Sequence, residues 1–193
     1  MKEKLLNIWK KLEPVHGVIY FVIILLCCHF FWKFTVLGDE SNHRVTFFGL
    51  NISAPFIAMT DHITTVVAYF LKHWLNISFA VYDNVLYFSN HISVGIVWSC
   101  SGLKQMYIFF CIIAFYRGPW KQKLWYIPMG LIIVHLFNIF RITFIAYMAY
   151  TNIKTVDFLH NHLFKYLFYG VIFLLWVVWE EKFVKKKRQE EVS

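Results

Sequence analysis

Nothing in this chain of 193 residues repeats, and no stretch of it is low in complexity. It has no glycine loop of the kind that cradles phosphates, no dinucleotide fingerprint and no His/Cys/Asp/Glu run at metal-ligand spacing, so neither a metal nor a cofactor is expected. Charge is scarce: 16% of residues are Asp, Glu, Lys or Arg, with 11 acidic side chains against 19 basic ones. There are four cysteines, and only one, Cys100, falls on the expected outer side, so no disulfide is expected there. What fills the space is apolar, since 59% of residues are hydrophobic and 21% aromatic, far above a soluble domain of this length. The expected surroundings are membrane lipid. A net charge of +8 would suit nucleic acid if the cations formed a stripe. They sit instead in three short blocks beside apolar runs, which is the positive-inside pattern, and no nucleic-acid partner is expected.

Five apolar stretches are visible, at about 16–37, 54–75, 101–117, 124–150 and 163–181, within one expected membrane domain spanning 1–193. The first is too long for a signal-peptide core and lacks a small-x-small cleavage site, so it reads as an uncleaved transmembrane helix. The basic blocks are Lys2, Lys4, Lys10 and Lys11, then Arg117, Lys121 and Lys123, then the closing tail 182–193. If all three are cytoplasmic, five crossings are impossible and one stretch must not span. In 54–75 the apolar Phe56, Met59, Ile63, Val66, Val67, Phe70, Leu71 and Trp74 follow helical spacing, with Asp61, Thr65, Tyr69 and Lys72 opposite. That stretch predicts an amphipathic interfacial helix. The resulting fold class is an α-helical polytopic membrane protein with about four transmembrane helices, both termini cytoplasmic and an outer interfacial helix. Alternation in VLYFSNHISVGIVW adds a short outer β-hairpin around Ser89-Asn90.

Depth separates the four cysteines. Cys27 and Cys28 fall within the first helix, and Cys111 lies eleven residues past Cys100, roughly 16 Å deeper; these three read as packing. Cys100, in WSCSGLK, opens the third apolar stretch on the outer side. There a helix N-terminus and the nearby Lys104 would favour its thiolate. Arg141, in FNIFRITF, stands about 17 residues along the fourth stretch, roughly 25 Å up and level with Cys100. Arginine inside a span is costly and marks function more often than packing, and Asn138 at i−3 could orient it. The outer segment TNIKTVDFLHNHLF brings Asp157, His160 and His162 to the same layer. An imidazole can take a thiol proton, a thiolate can attack a carbonyl, and a guanidinium can hold a carboxylate or a developing oxyanion.

CSGLK opening a helix, NIFRI within the next and LHNHLFKYLFYG before the last resemble the signature motifs of the exosortase/archaeosortase family, over about residues 80–180. The resemblance implies a membrane-embedded cysteine peptidase/transpeptidase of the prokaryotic cytoplasmic membrane. Such an enzyme cuts C-terminal sorting tails of envelope proteins at the outer face and passes the product to water or to an envelope acceptor. It implies Cys100 as nucleophile, Arg141 as the family's arginine and His160 as general base, with His162 a rival for that role. Lys104 stands where the family commonly has arginine. Two other readings stay open: a non-catalytic envelope assembly protein of the same fold, and a bis-histidine membrane haem protein using His29 and His135. The triplets Asn51-Ile52-Ser53 and Asn76-Ile77-Ser78 match a glycosylation acceptor, idle in a prokaryote.

Overall fold

The computed structural model describes residues 13–39 and 44–185; Lys2, Lys4, Lys10, Lys11 and the closing residues 186–193 lie outside them. Four helices share one core: α1 (Glu13–Thr35), α3 (Leu103–Phe115), α4 (Trp120–Thr151) and α5 (Phe164–Trp179). A further helix, α2, spans Ser53–His73. Phe21, Ile108, Phe109, Ile112, Tyr126 and Trp176 are buried between the four. Their outer faces are as apolar as their inner ones. On α1 alone Val18, Ile19, Ile23, Leu26, Phe30 and Phe34 are exposed, a surface of the kind that membrane lipid or a partner protein covers.

Tight joints hold the bundle. Gly130 lets α4 lie against α3, because a Cβ there would overlap the Phe109 ring. The α3–α4 turn passes under Trp179, whose indole N–H donates to the Arg117 carbonyl at 2.9 Å. Gly118 makes that turn with φ of +135°, and a Cβ there would stand 2.6 Å from the same indole. Lys123, counted from sequence as a topogenic surface charge, is buried. Its ammonium donates to the carbonyls of Ala114 (2.8 Å) and Tyr116 (2.6 Å), supplying donors to the orphan acceptors at the end of α3.

Of the remaining elements, α2 and the second sheet pack on the Thr151 end of α4, and the first sheet packs with Trp32 of α1 and Phe56 of α2. The buried positions of α2 include Phe56, Thr60, Ile63, Val67 and Leu71, while Asp61, Thr65, Tyr69 and Lys72 are exposed. Before it, β1 (Val36–Asp39), β2 (Arg44–Phe47) and β3 (Leu50–Asn51) form an antiparallel meander, an element not anticipated from its short, weakly patterned strands. After α2, β4 (Phe79–Tyr82), β5 (Val85–Phe88) and β6 (Ser93–Gly95) form a second one. β5 and β6 pair across the Ser89-Asn90 turn with Leu86 opposite Val94. β4 joins them through Asp83-Asn84, both at positive φ, a two-residue turn that suits strand twist. Leu86, Phe88 and Ile96 of this sheet share a core with Ile63, Val67 and Leu71 of α2 and with Ile139, Ile142 and Ala146 of α4.

Three helices are long and apolar enough to cross a membrane: α1 from His16, α2 and α4. Length and composition therefore select α2, the least apolar of the three, where the sequence led to four crossings without it. They pass over α3, whose 13 residues reach about 20 Å against a hydrocarbon core of about 30 Å. The reason is local: a left-handed glycine starts α3 late and the Lys123-capped turn ends it early. α5 has 16 residues, lengthened at either end by the π-helical turns Leu159–Leu163 and Glu180–Lys185.

Candidate active site

Cys100 ends a single 3-10 turn, Trp98–Cys100, in which its N–H donates to the Val97 carbonyl at 2.8 Å. Ser101 and Gly102 separate it from α3. The thiol thus stands just before that helix, while Lys104 lies in its first turn. Gly102, at φ +76°, redirects the chain and α3 begins only at Leu103. A side chain there would meet both the left-handed backbone penalty and the Asn138 amide, 2.8 Å from an added Cβ.

Asn138 is fully buried on α4 and donates from Nδ2 to the Cys100 carbonyl at 2.9 Å. Its part is thus to pin the cysteine turn to α4, rather than to orient Arg141 as its i−3 spacing suggested. Arg141, one helical turn further, is 8% exposed. Its guanidinium lies 5.9 Å from the Phe168 ring centroid, interacts electrostatically with Cys100, and keeps an Nε without a hydrogen-bond partner among the described residues. A buried guanidinium with an unused donor is expensive and suits a site that receives an acceptor from outside.

A cavity of about 610 Å³ opens between the helix ends. Arg141 and His160 line it, as do Lys104 and the two serines beside Cys100, Ser99 and Ser101. Cys100 itself is 6% exposed and packs with Ile139 and Ile142 behind that wall. His160 arrives on the π-helical turn Leu159–Leu163, a wound segment that recurs at functional sites because it re-aims side chains. His162, its rival, is exposed, stacks on Phe158 at 5.8 Å and does not line the cavity.

Sequence reasoning missed much of the cavity: His29 and Lys33 of α1, Gln105 of α3, and Lys165 and Tyr169 of α5 also line it. His29 Nδ1 and the Tyr169 hydroxyl share a 3.0 Å hydrogen bond. A signal was present in Lys33 and Lys165, two cations at the helix ends away from the basic blocks. The histidines considered for haem have different neighbours, since His135 stacks on His62 of α2 with centroids 5.3 Å apart. Among the described residues, no three His, Cys, Asp or Glu side chains form a metal-holding group.

An apolar-surfaced helical bundle with a polar cavity between its helix ends has the build of an integral membrane protein. The family model described as Transmembrane exosortase (Exosortase_EpsH) matches residues 5–179, and the chain belongs to that family. No curated protein and no solved structure matches it.

Proposed function

We propose that the protein is a cysteine peptidase/transpeptidase that cleaves C-terminal sorting tails of envelope proteins at the outer face of a prokaryotic cytoplasmic membrane. The observation that carries this reading is the convergence on one cavity of buried Arg141 and of His160, with the two serines flanking Cys100 in its wall. His160 takes the Sγ proton and the thiolate adds to the scissile carbonyl carbon. Arg141 holds the resulting oxyanion. Collapse breaks the C–N bond, the imidazolium returns its proton to the leaving amine, and a thioester remains on Cys100. Water or the amine of an envelope acceptor then attacks the thioester, passing a proton to His160, and the thiolate leaves. Because Cys100 sits behind the wall, the Ser99–Ser101 turn yields as substrate binds.

Both termini are cytoplasmic in this reading and the cavity faces outward. Sheet β4–β6 packs along α2, and lipid-exposed sheet edges do not occur in hydrocarbon. This favours α2 lying with the sheet at the surface. The deciding measurement is processing of an envelope substrate by folded, membrane-inserted variants. Cys100→Ser abolishes cleavage, since serine lacks the easily ionised thiol, and Arg141→Lys also fails, since a point charge cannot replace the planar fork. Tail release by Cys100→Ser at the unmutated rate sinks the proposal. The burial of Cys100 favours one second reading, a non-catalytic envelope assembly protein, for which Cys100→Ser leaves envelope proteins unchanged.

A further inference from the structure

The cavity holds more positive charge than acyl transfer uses. Besides Arg141, three lysines from three helices line it: Lys33 of α1, Lys104 of α3 and Lys165 of α5. They are near enough to one another that Lys104 feels both of the others, and His29 feels all three. No acidic side chain lines the cavity among the described residues. Like charges gathered without a counter-charge among the described residues repel one another, a cost that an anion from outside would offset. The unpartnered Nε of Arg141, a side chain more than nine-tenths buried, is a second sign of a missing acceptor in the same cavity.

The surroundings identify the anion. Beside Lys33, Phe34 is 73% exposed, and beside Lys165, Tyr166 is 70% exposed. Phe30 and Leu37 extend this apolar flank along α1 and β1. A phosphate head group above acyl chains has this combination of charge and greasy surface, and basic pockets between membrane helices bind such head groups. A single peptide carboxylate would offset only one of the charges.

We propose that Lys33, Lys104 and Lys165 form a binding site for the phosphate head group of an anionic membrane lipid, which enters between α1 and α5 and lies in the cavity whose wall carries Ser99 and Ser101. The site is separable from the chemistry, because binding is read equally on Cys100→Ser protein, whose failure to cleave concerns the function proposed above and not this site.

The test uses the full chain purified in a phosphate-free, uncharged detergent and titrated with short-chain phosphatidylglycerol, with bound lipid counted by native mass spectrometry. The expected result is saturable binding that the variant Lys33→Gln/Lys104→Gln/Lys165→Gln weakens about a hundredfold, roughly fivefold for each lysine. A control at exposed lysines elsewhere, Lys72→Gln/Lys154→Gln, should bind as the parent does. If the triple variant does not fold, Lys33→Gln and Lys165→Gln, both at exposed positions, are each expected to give the fivefold loss. Inorganic phosphate should compete only weakly if the acyl chains contribute; competition as strong as that by the lipid reassigns the site to a free anion and overturns the lipid proposal. Equal binding by parent and lysine variants also overturns it, as does displacement of the lipid by an acidic peptide at a lower concentration than by competing phosphatidylglycerol.

Discussion

Cys100, Gly102 and Asn138 act as one unit. The glycine turns the chain where no side chain fits, and the asparagine fastens the cysteine carbonyl to α4. Gly102→Ala should therefore cost about 1–2 kcal/mol for the left-handed backbone alone, measured by unfolding in mixed micelles, and should depress cleavage further by moving Cys100. Gly170→Ala is the control: nothing lies within 4 Å of a Cβ at that helical position, so stability should hold or rise. The two histidines divide the same way. His160→Ala should lower turnover by the ~10²–10⁴ typical of a lost general base, and His162→Ala, outside the cavity, should lower it far less. The reverse ranking in single-turnover assays would transfer the role to His162.

At the scale of elements, α2 tests how membrane and sheet share the chain. Its exposed Asp61 accepts a hydrogen bond from Asn84 at the tip of the β4–β5 turn. The sheet thus folds back along the helix, and under the proposed topology reporter fusions at residues 45 and 80 should report one location. Opposite locations would make α2 a crossing. The sequence showed the long helices clearly, because apolar runs of 20 residues or more have few other solutions. It placed Arg141 by counting residues along its helix and His160 in the same layer by assigning its segment to the outer side. It could not place the start of α3, since the Gly102 conformation depends on Asn138 arriving from a distant helix. The first sheet escaped because its strands are two to four residues long. The lysines of the cavity escaped for a different reason: each, taken alone, looks like a cation snorkelling at a helix end, and only packing gathers them.

For the whole molecule, the length of α4 fixes an altitude. Arg141 stands 21 residues beyond the first residue of α4, Trp120, a rise of about 32 Å where the hydrocarbon core measures about 30 Å. With Trp120 at the inner face, as the proposed topology has it, the cavity is a gauge block at the opposite bilayer surface, and an enzyme of the proposed function so built would read distance from the membrane as well as local sequence. A sorting tail anchored by its own helix offers for cleavage whichever peptide bond its spacer lifts to that height. Inserting four extended residues between anchor and cut site raises the original bond by about 13 Å, out of reach of Arg141 and His160. Mass spectrometry of the released product should then find the cut lost or moved by about four residues toward the anchor. Cleavage at the original bond with undiminished rate would mean that the substrate, rather than the bilayer, sets the height.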